Sequence, residues 1–251
     1  MEVLLPNRTL SFSKPTATCF PKRRRLHRRC CFISQLEEIR VCTNRTCRRQ
    51  GSLLTLETLT GIAPPTVTVK SCGCLSRCGA GPNLVALPSA VVVSHCGTAA
   101  RSAEVLAALC GASWDADAAK KSLEALALRK KAEIEFDKGN FSQAELLLSQ
   151  AIELKPMGGM NIIYKDRSRT RLAMDKYHEA LADAKEALVF TPQYVEAYIC
   201  QGDAFLAMNR FDTAEKSYLT ALEIDPSIRR SKSFKARIAN LQEKVASVNM
   251  P

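Results

Sequence analysis

Histidine is nearly missing from this sequence: the 251-residue chain has three, His27, His95 and His178, far apart. That scarcity removes a Ser-His-Asp set, an HExxH metalloprotease helix and a histidine-rich metal site. There is no glycine-rich phosphate loop and no pair of acids spaced for acid–base work, so an autonomous enzyme is not expected. Long apolar runs are also absent. None approaches the ~18 residues that a membrane-spanning helix needs. Aromatics make up 6% of the chain and tryptophan occurs once, at Trp114.

Basic residues and cysteine, by contrast, are plentiful. The net charge is +11 and there are 11 cysteines, which at first sight point to a nucleic-acid binder or a disulfide-stapled secreted domain. Their distribution argues against both. Residues 1–35 hold 8 basic residues (Arg8, Lys14, Lys22, Arg23, Arg24, Arg25, Arg28 and Arg29) against the single acid Glu2. From residue 113 onward the charge is nearly balanced, so no basic face is expected on the fold and no nucleic-acid partner is inferred. Residues 1–35 are rich in Arg, Ser and Thr and lack the apolar core of a secretory signal. Pro6, Pro15 and Pro21 interrupt a long amphipathic helix. The segment is therefore expected to be a disordered transit peptide, chloroplast in preference to mitochondrial.

Cys42, Cys47, Cys72, Cys74 and Cys78 lie close together, whereas the last 139 residues contain only Cys200. The pattern over 36–112 reads as strand, helix, strand, hairpin, helix. Ile39–Cys42 is the first strand. A helix over Cys47–Thr60 carries Leu53, Leu56 and Leu59 and stops at Gly61 and Pro64-Pro65. Thr66–Lys70 is a β-branched strand, Leu84–Leu87 and Ala90–Ser94 form a hairpin, and Ala99–Leu109 is a helix closed by Gly111. In such a fold the pairs Cys42-x4-Cys47 and Cys74-x3-Cys78 can meet at one end of the sheet. Four thiolates suit zinc or an iron–sulfur cluster. The Gly79-Ala-Gly-Pro-Asn83 stretch would let backbone N–H groups approach the sulfurs.

These motifs, Cys42-Thr-Asn-Arg-Thr-Cys47 and Cys74-Leu-Ser-Arg-Cys78-Gly-Ala-Gly-Pro-Asn, resemble those of the thioredoxin-like 2Fe–2S ferredoxins over about residues 38–111. The resemblance implies a thioredoxin-like fold and a 2Fe–2S cluster held by Cys42, Cys47, Cys74 and Cys78. Cys72, two residues before the third ligand, departs from the pattern. A redox partner at the cluster would follow.

Residues 113–251 are internally repetitive. Gly139-Asn-Phe141-Ser-Gln-Ala144 matches Asp175-Lys-Tyr177-His-Glu-Ala180 and Asn209-Arg-Phe211-Asp-Thr-Ala214. Ala151, Ala187 and Ala221 recur at the same offsets, as do Pro156, Pro192 and Pro226. This resembles the tetratricopeptide (TPR) repeat, in three copies near 125–156, 161–192 and 195–226, with two extra residues in Met157-Gly-Gly-Met160. The third copy is cleanest, with Tyr198, Gly202, Phe205, Ala214, Tyr218, Ala221 and Pro226; the second is atypical at Ser168 and Arg171. Small residues let paired helices approach and aromatics fill between them. Phe234, Ile238, Leu241, Val245 and Val248 follow 4-3-4-3 spacing and mark a capping helix. Arg229, Arg230, Lys232, Lys235 and Arg237 are expected towards its outer side.

The expected fold class is thus an α/β thioredoxin-like domain (36–112) followed by an all-α TPR solenoid of three helix-turn-helix repeats (125–227) and a capping helix with its tail (228–251). Residues 113–124 are expected to be a linker and the start of the first repeat helix. By the resemblance, a protein partner binds the concave face, with Arg129, Glu133, Lys165, Arg169, Ile199 and Asp203 as groove residues. Some TPR domains grip a chaperone's terminal carboxylate with a cationic clamp. The matching positions here are Arg129, Glu133, Asp166, Glu196 and Cys200. Only Arg129 keeps the needed charge, so no such clamp is expected. The expected function is a chloroplast scaffold or assembly factor carrying a 2Fe–2S cluster for electron transfer or redox sensing. The alternatives are an electron-transfer subunit of a larger redox complex and a pure TPR adaptor whose cysteine domain is metal-free or binds zinc.

Overall fold

The computed structural model describes residues 36–111 and 114–248; the expected transit peptide lies outside them. Four strands form one mixed sheet: β1 (Glu38–Cys42), β2 (Thr68–Cys72), β3 (Leu84–Leu87) and β4 (Val91–Val93), in the order β2-β1-β3-β4. β1 runs parallel to β2, with Cys42 opposite Cys72, and antiparallel to β3, which pairs antiparallel with β4. Alternation on β1 buries Ile39 and Val41. They join Leu59, Ile62, Leu84, Val105 and Leu106 in the core, and Trp114 packs at its margin.

Three helices complete this region: α1 (Arg45–Arg49), α2 (Ser52–Ile62) and α3 (Ala99–Cys110). The single helix expected over Cys47–Thr60 is in fact two. Gly51, at φ 92, turns the chain in the left-handed region between them. α2 then runs through Gly61, which is buried and helical. The second strand lies two residues later than expected, reaching Cys72.

Seven helices follow: α4 (Ala116–Asp137), α5 (Phe141–Glu153), α6 (Met160–Ala173), α7 (Tyr177–Phe190), α8 (Val195–Ala207), α9 (Phe211–Ile224) and α10 (Lys232–Val248). They pack as the pairs α4/α5, α6/α7 and α8/α9, with α10 against α9. The repeated motif has a structural cause. Gly139, Asp175 and Asn209 all take positive φ, two residues before Phe141, Tyr177 and Phe211. Gly, Asn and Asp tolerate that conformation best, so the turn between paired helices recurs with them. Ala144, Ala151, Ala180, Ala187, Ala214 and Ala221 are fully buried, as close helix packing requires. α4 begins at Ala116, capped by the Asp115 carboxylate, which accepts from the Asp117 and Ala118 N–H groups. The first repeat helix thus starts within residues 113–124.

The two extra residues near Met157 mark where α2 meets the repeats. A Cβ on Gly158 would lie 2.5 Å from the Ala63 carbonyl oxygen, and one on Gly159 would lie 3.2 Å from Gly61 Cα. Only glycine permits that approach. Ser122 on α4 accepts the Met157 N–H at 2.9 Å and fixes the same loop from the other side.

Candidate functional site

Two places bring together the chemically distinctive side chains. The first is a cleft of about 90 Å³ between α4 and α6, lined by Arg129, Glu133, Phe136, Lys165, Asp166 and Arg169 among others. It gathers four of the six expected groove residues. Arg129 is 8% exposed. Its guanidinium donates to Asp166 at 3.3 Å and to Glu57, which reaches over from α2. Burial disfavours the charge, but Glu57 and Asp166 outweigh it and hold the Arg129 pKa above its ordinary value. Burial likewise opposes the Glu57 carboxylate, yet Lys130, at 2.7 Å, and Arg129 keep its pKa low. Lys165 pairs with Asp166. Arg169 is exposed and lies 4.2 Å from the centre of the Phe136 ring. Glu133 is exposed and accepts from Lys130 at 3.1 Å.

The remaining two groove candidates belong elsewhere. Ile199 packs against the core between α8, α9 and α10. Asp203 accepts from Arg237 at 2.8 and 2.9 Å and from the Tyr218 hydroxyl at 2.7 Å. Arg237, expected on the outer side of the capping helix, instead ties that helix to α8. Its side chain is the right length to reach Asp203 once Phe234 and Leu241 are buried. Of the clamp positions, Cys200 is buried, and burial pushes its thiol up to about 12. It is a neutral packing group. Tyr194, not singled out from the sequence, sits near Arg129 and Asp166; burial raises its phenol far above the usual range.

The second place is the cysteine end of the sheet. Cys42 and Cys47 are buried; Cys74 and Cys78 are exposed. Burial opposes the Cys42 thiolate, but the Asn44 and Leu75 N–H groups and the Cys47 thiol favour it and lower its pKa. Burial and Cys42 raise that of Cys47. The Asn83 amide lies 3.5 Å from Cys47 Sγ and donates to the Arg77 carbonyl at 2.7 Å. Cys74 and Cys78 are paired with each other, Sγ to Sγ 3.6 Å.

The thiols thus fall into a buried pair and an exposed pair. Among the described residues, no group of three or more His, Cys, Asp or Glu side chains is placed to hold a metal ion. The 2Fe–2S cluster expected at Cys42, Cys47, Cys74 and Cys78 is therefore corrected. These residues do not fit the group as one four-thiolate site, and the redox partner expected there goes with it.

Stacked helix pairs with buried alanines and recurrent turns define a helical-repeat scaffold. The chain matches the tetratricopeptide repeat family over residues 195–228. It is 38% identical over 92 residues to the Protein STIP1 homolog of Dictyostelium discoideum, covering 37% of this chain and 16% of that protein. It is 30% identical over 112 residues to the Hsp70-Hsp90 organizing protein of Triticum aestivum, covering 45% and 18%. The chain thus spans less than a fifth of the length of these relatives. Among solved structures, the Sgt2 TPR domain from Aspergillus fumigatus is similar at 23% identity and TM-score 0.45, covering 50% of this chain and 82% of that one. No helix among the described residues is long and apolar enough to cross a membrane.

Proposed function

We propose that this protein is an interaction adaptor that holds a segment of a partner protein in the cleft between α4 and α6. The observation that carries this reading is the convergence of Arg169, Lys165, Glu133 and Arg129 on one cleft of a TPR array. The similarity to an Hsp70-Hsp90 organizing protein supports an adaptor role of that kind. The α/β region then serves as a metal-free structural partner of the first repeat, and its sheet order suits a thioredoxin-like relationship.

Recognition uses charges of both signs with Phe136 beneath them, without a carboxylate clamp. Arg129 already has two carboxylates, and a peptide terminus would have to displace Glu57. The test is titration of the full chain with an acidic chaperone C-terminal peptide, followed by fluorescence anisotropy. No saturable binding is expected. Binding that disappears in Arg129→Ala overturns the exclusion of a clamp. For the adaptor role, partners captured by the wild-type chain are compared with those captured by a Glu133→Arg/Arg169→Glu variant. Loss of a specific partner is expected, and an unchanged set overturns the assignment of this cleft.

We also read residues 1–35 as an organelle address, chloroplast first, on their composition. Fusion of those residues to a fluorescent protein tests it; a diffuse cytosolic signal removes the reading.

A further inference from the structure

The exposed cysteine pair has a use that does not depend on the adaptor reading. Cys74 and Cys78 flank the loop that leaves β2, both exposed, with sulfurs 3.6 Å apart. The Ser76 N–H donates to Cys74 Sγ at 3.3 Å. Cys78 opens a single 3-10 turn, Cys78–Ala80, against which α1 packs. α1 presents the exposed Arg45, Arg48 and Arg49, and the loop itself presents Arg77. The next turn is held close: a Cβ on Gly81 would lie 2.2 Å from Gln50 Oε1 and 3.0 Å from Cys47 Sγ. The buried pair Cys42 and Cys47 lies behind, shielded from solvent.

We propose that Cys74 and Cys78 form a reversible dithiol–disulfide site that exchanges with small anionic disulfides, drawn in by the arginine rim of α1 and Arg77. Cys74 thiolate attacks one sulfur of the small disulfide. The S–S bond of that molecule breaks, and one thiolate leaves and takes up a proton. Cys78 then gives up its proton, attacks the Cys74 sulfur of the mixed disulfide and expels the second thiolate, which takes up that proton. Two cysteine thiols are oxidised to one disulfide, and the small disulfide is reduced to two thiols. The rim selects for negative charge on the reagent because α1 and the loop carry these arginines beside the only exposed thiols among the described residues.

The experiment uses the full reduced chain and glutathione disulfide as the probe, with alkylation and peptide mass mapping over time. The expected result is an intramolecular Cys74–Cys78 disulfide that reverts on adding glutathione, while Cys42, Cys47 and Cys200 stay reduced. Cys78→Ser should stop at a stable glutathione adduct on Cys74. Arg48→Glu with Arg77→Glu, both surface changes, should slow oxidation by glutathione disulfide at least ~3-fold. The same variant should leave the rate with the neutral bis(2-hydroxyethyl) disulfide unchanged. Oxidation that lands first on Cys42 and Cys47 overturns the site, as does a Cys74–Cys78 pair that remains alkylatable throughout. Equal slowing with both reagents overturns the selection for anions. None of these outcomes bears on partner binding in the α4–α6 cleft.

Discussion

The second and third repeats are the same helical hairpin built around different interiors. In the third, Gly202 lets the Tyr218 ring lie against α8, Phe205 and Leu206 fill the space, and Phe234 meets Tyr218 edge-on at 5.9 Å. In the second, an ionic network ties α6 and α7 to α5. Asp183 is 2% exposed. It accepts from Arg167 at 2.7 and 2.9 Å and from Arg171 at 2.9 Å. Glu145 of α5 completes the network with Arg171 at 2.8 Å and Lys176 at 2.7 Å. The third repeat rests chiefly on packed rings, with the Asp203–Arg237 pair at its edge, and the second on a larger network of paired charges. The geometry is set by helix spacing, and the chemistry inside it is free to vary as long as each buried charge has its partner.

Removing the hub should separate the two most sharply. Asp183→Ala leaves the largely buried Arg167 without a carboxylate and Arg171 dependent on Glu145, and is expected to cost about 3 kcal/mol, read by urea unfolding. If stability barely changes, the network is ornamental and the comparison fails. Replacing Arg167, Arg171 and Asp183 together by Leu or Met sharpens the same point, because apolar groups of similar volume leave no buried charge unpaired among the three and should recover most of that loss. In the third repeat, Gly202→Ala places a Cβ 2.4 Å from Tyr218 Cε1. Displacing that buried ring is expected to cost about 2 kcal/mol. A neutral Gly202→Ala, measured the same way, would show that the ring has room to shift. A smaller effect is expected of Ser168→Ala, which deletes the hydroxyl donating to the Ala180 carbonyl at 2.7 Å. The loss should be about 1 kcal/mol.

The smallest effects are on pH dependence, with opposite signs for Glu145 in the ionic network and Tyr218 in the third repeat. Burial opposes the Glu145 charge, but Lys176 and Arg171 outweigh it and depress its pKa. Its contribution is present above the unfolded carboxylate range and is lost as pH falls through the lower folded value. Burial, then Asp203, raises the Tyr218 phenol from its ordinary 10.0. That contribution is present below the ordinary value and is lost as pH rises towards the folded one. Thermal scans should therefore show that Glu145→Gln flattens the acid limb and Tyr218→Phe the alkaline limb. A reversed pattern would contradict both assignments.

Much of the fold is legible in the sequence. Phe141, Tyr177 and Phe211 each follow a turn residue suited to positive φ, and the alanines recur at close-packing positions. Both patterns are local and repeated, so they survive reading in one dimension. The hairpin strand at Leu84–Leu87 and the helix start near Ala99 are equally local. The features that sequence reasoning misses depend on partners distant in the chain. Arg171 reads as a flaw in the second repeat because Asp183 and Glu145 lie on neighbouring helices. Arg237 reads as a solvated cap residue because Asp203 is 34 positions away. The four spaced cysteines read as one site, yet the fold sorts them by depth into a buried and an exposed pair. Spacing along a chain carries no information about depth.

The amino-acid order by itself determined that this protein is a mixed α/β region followed by three helix pairs and a cap, because short-range periodicity and turn chemistry dictate those elements. Only the tertiary structure decided which charges are free. Arg129 is spent on Glu57 and Asp166, whereas Arg169 remains open, because α2 is seated against α4 where Gly158 and Gly159 allow backbones to touch. Burial and pairing are properties of three-dimensional neighbours, and those neighbours come from segments that are far apart in the chain.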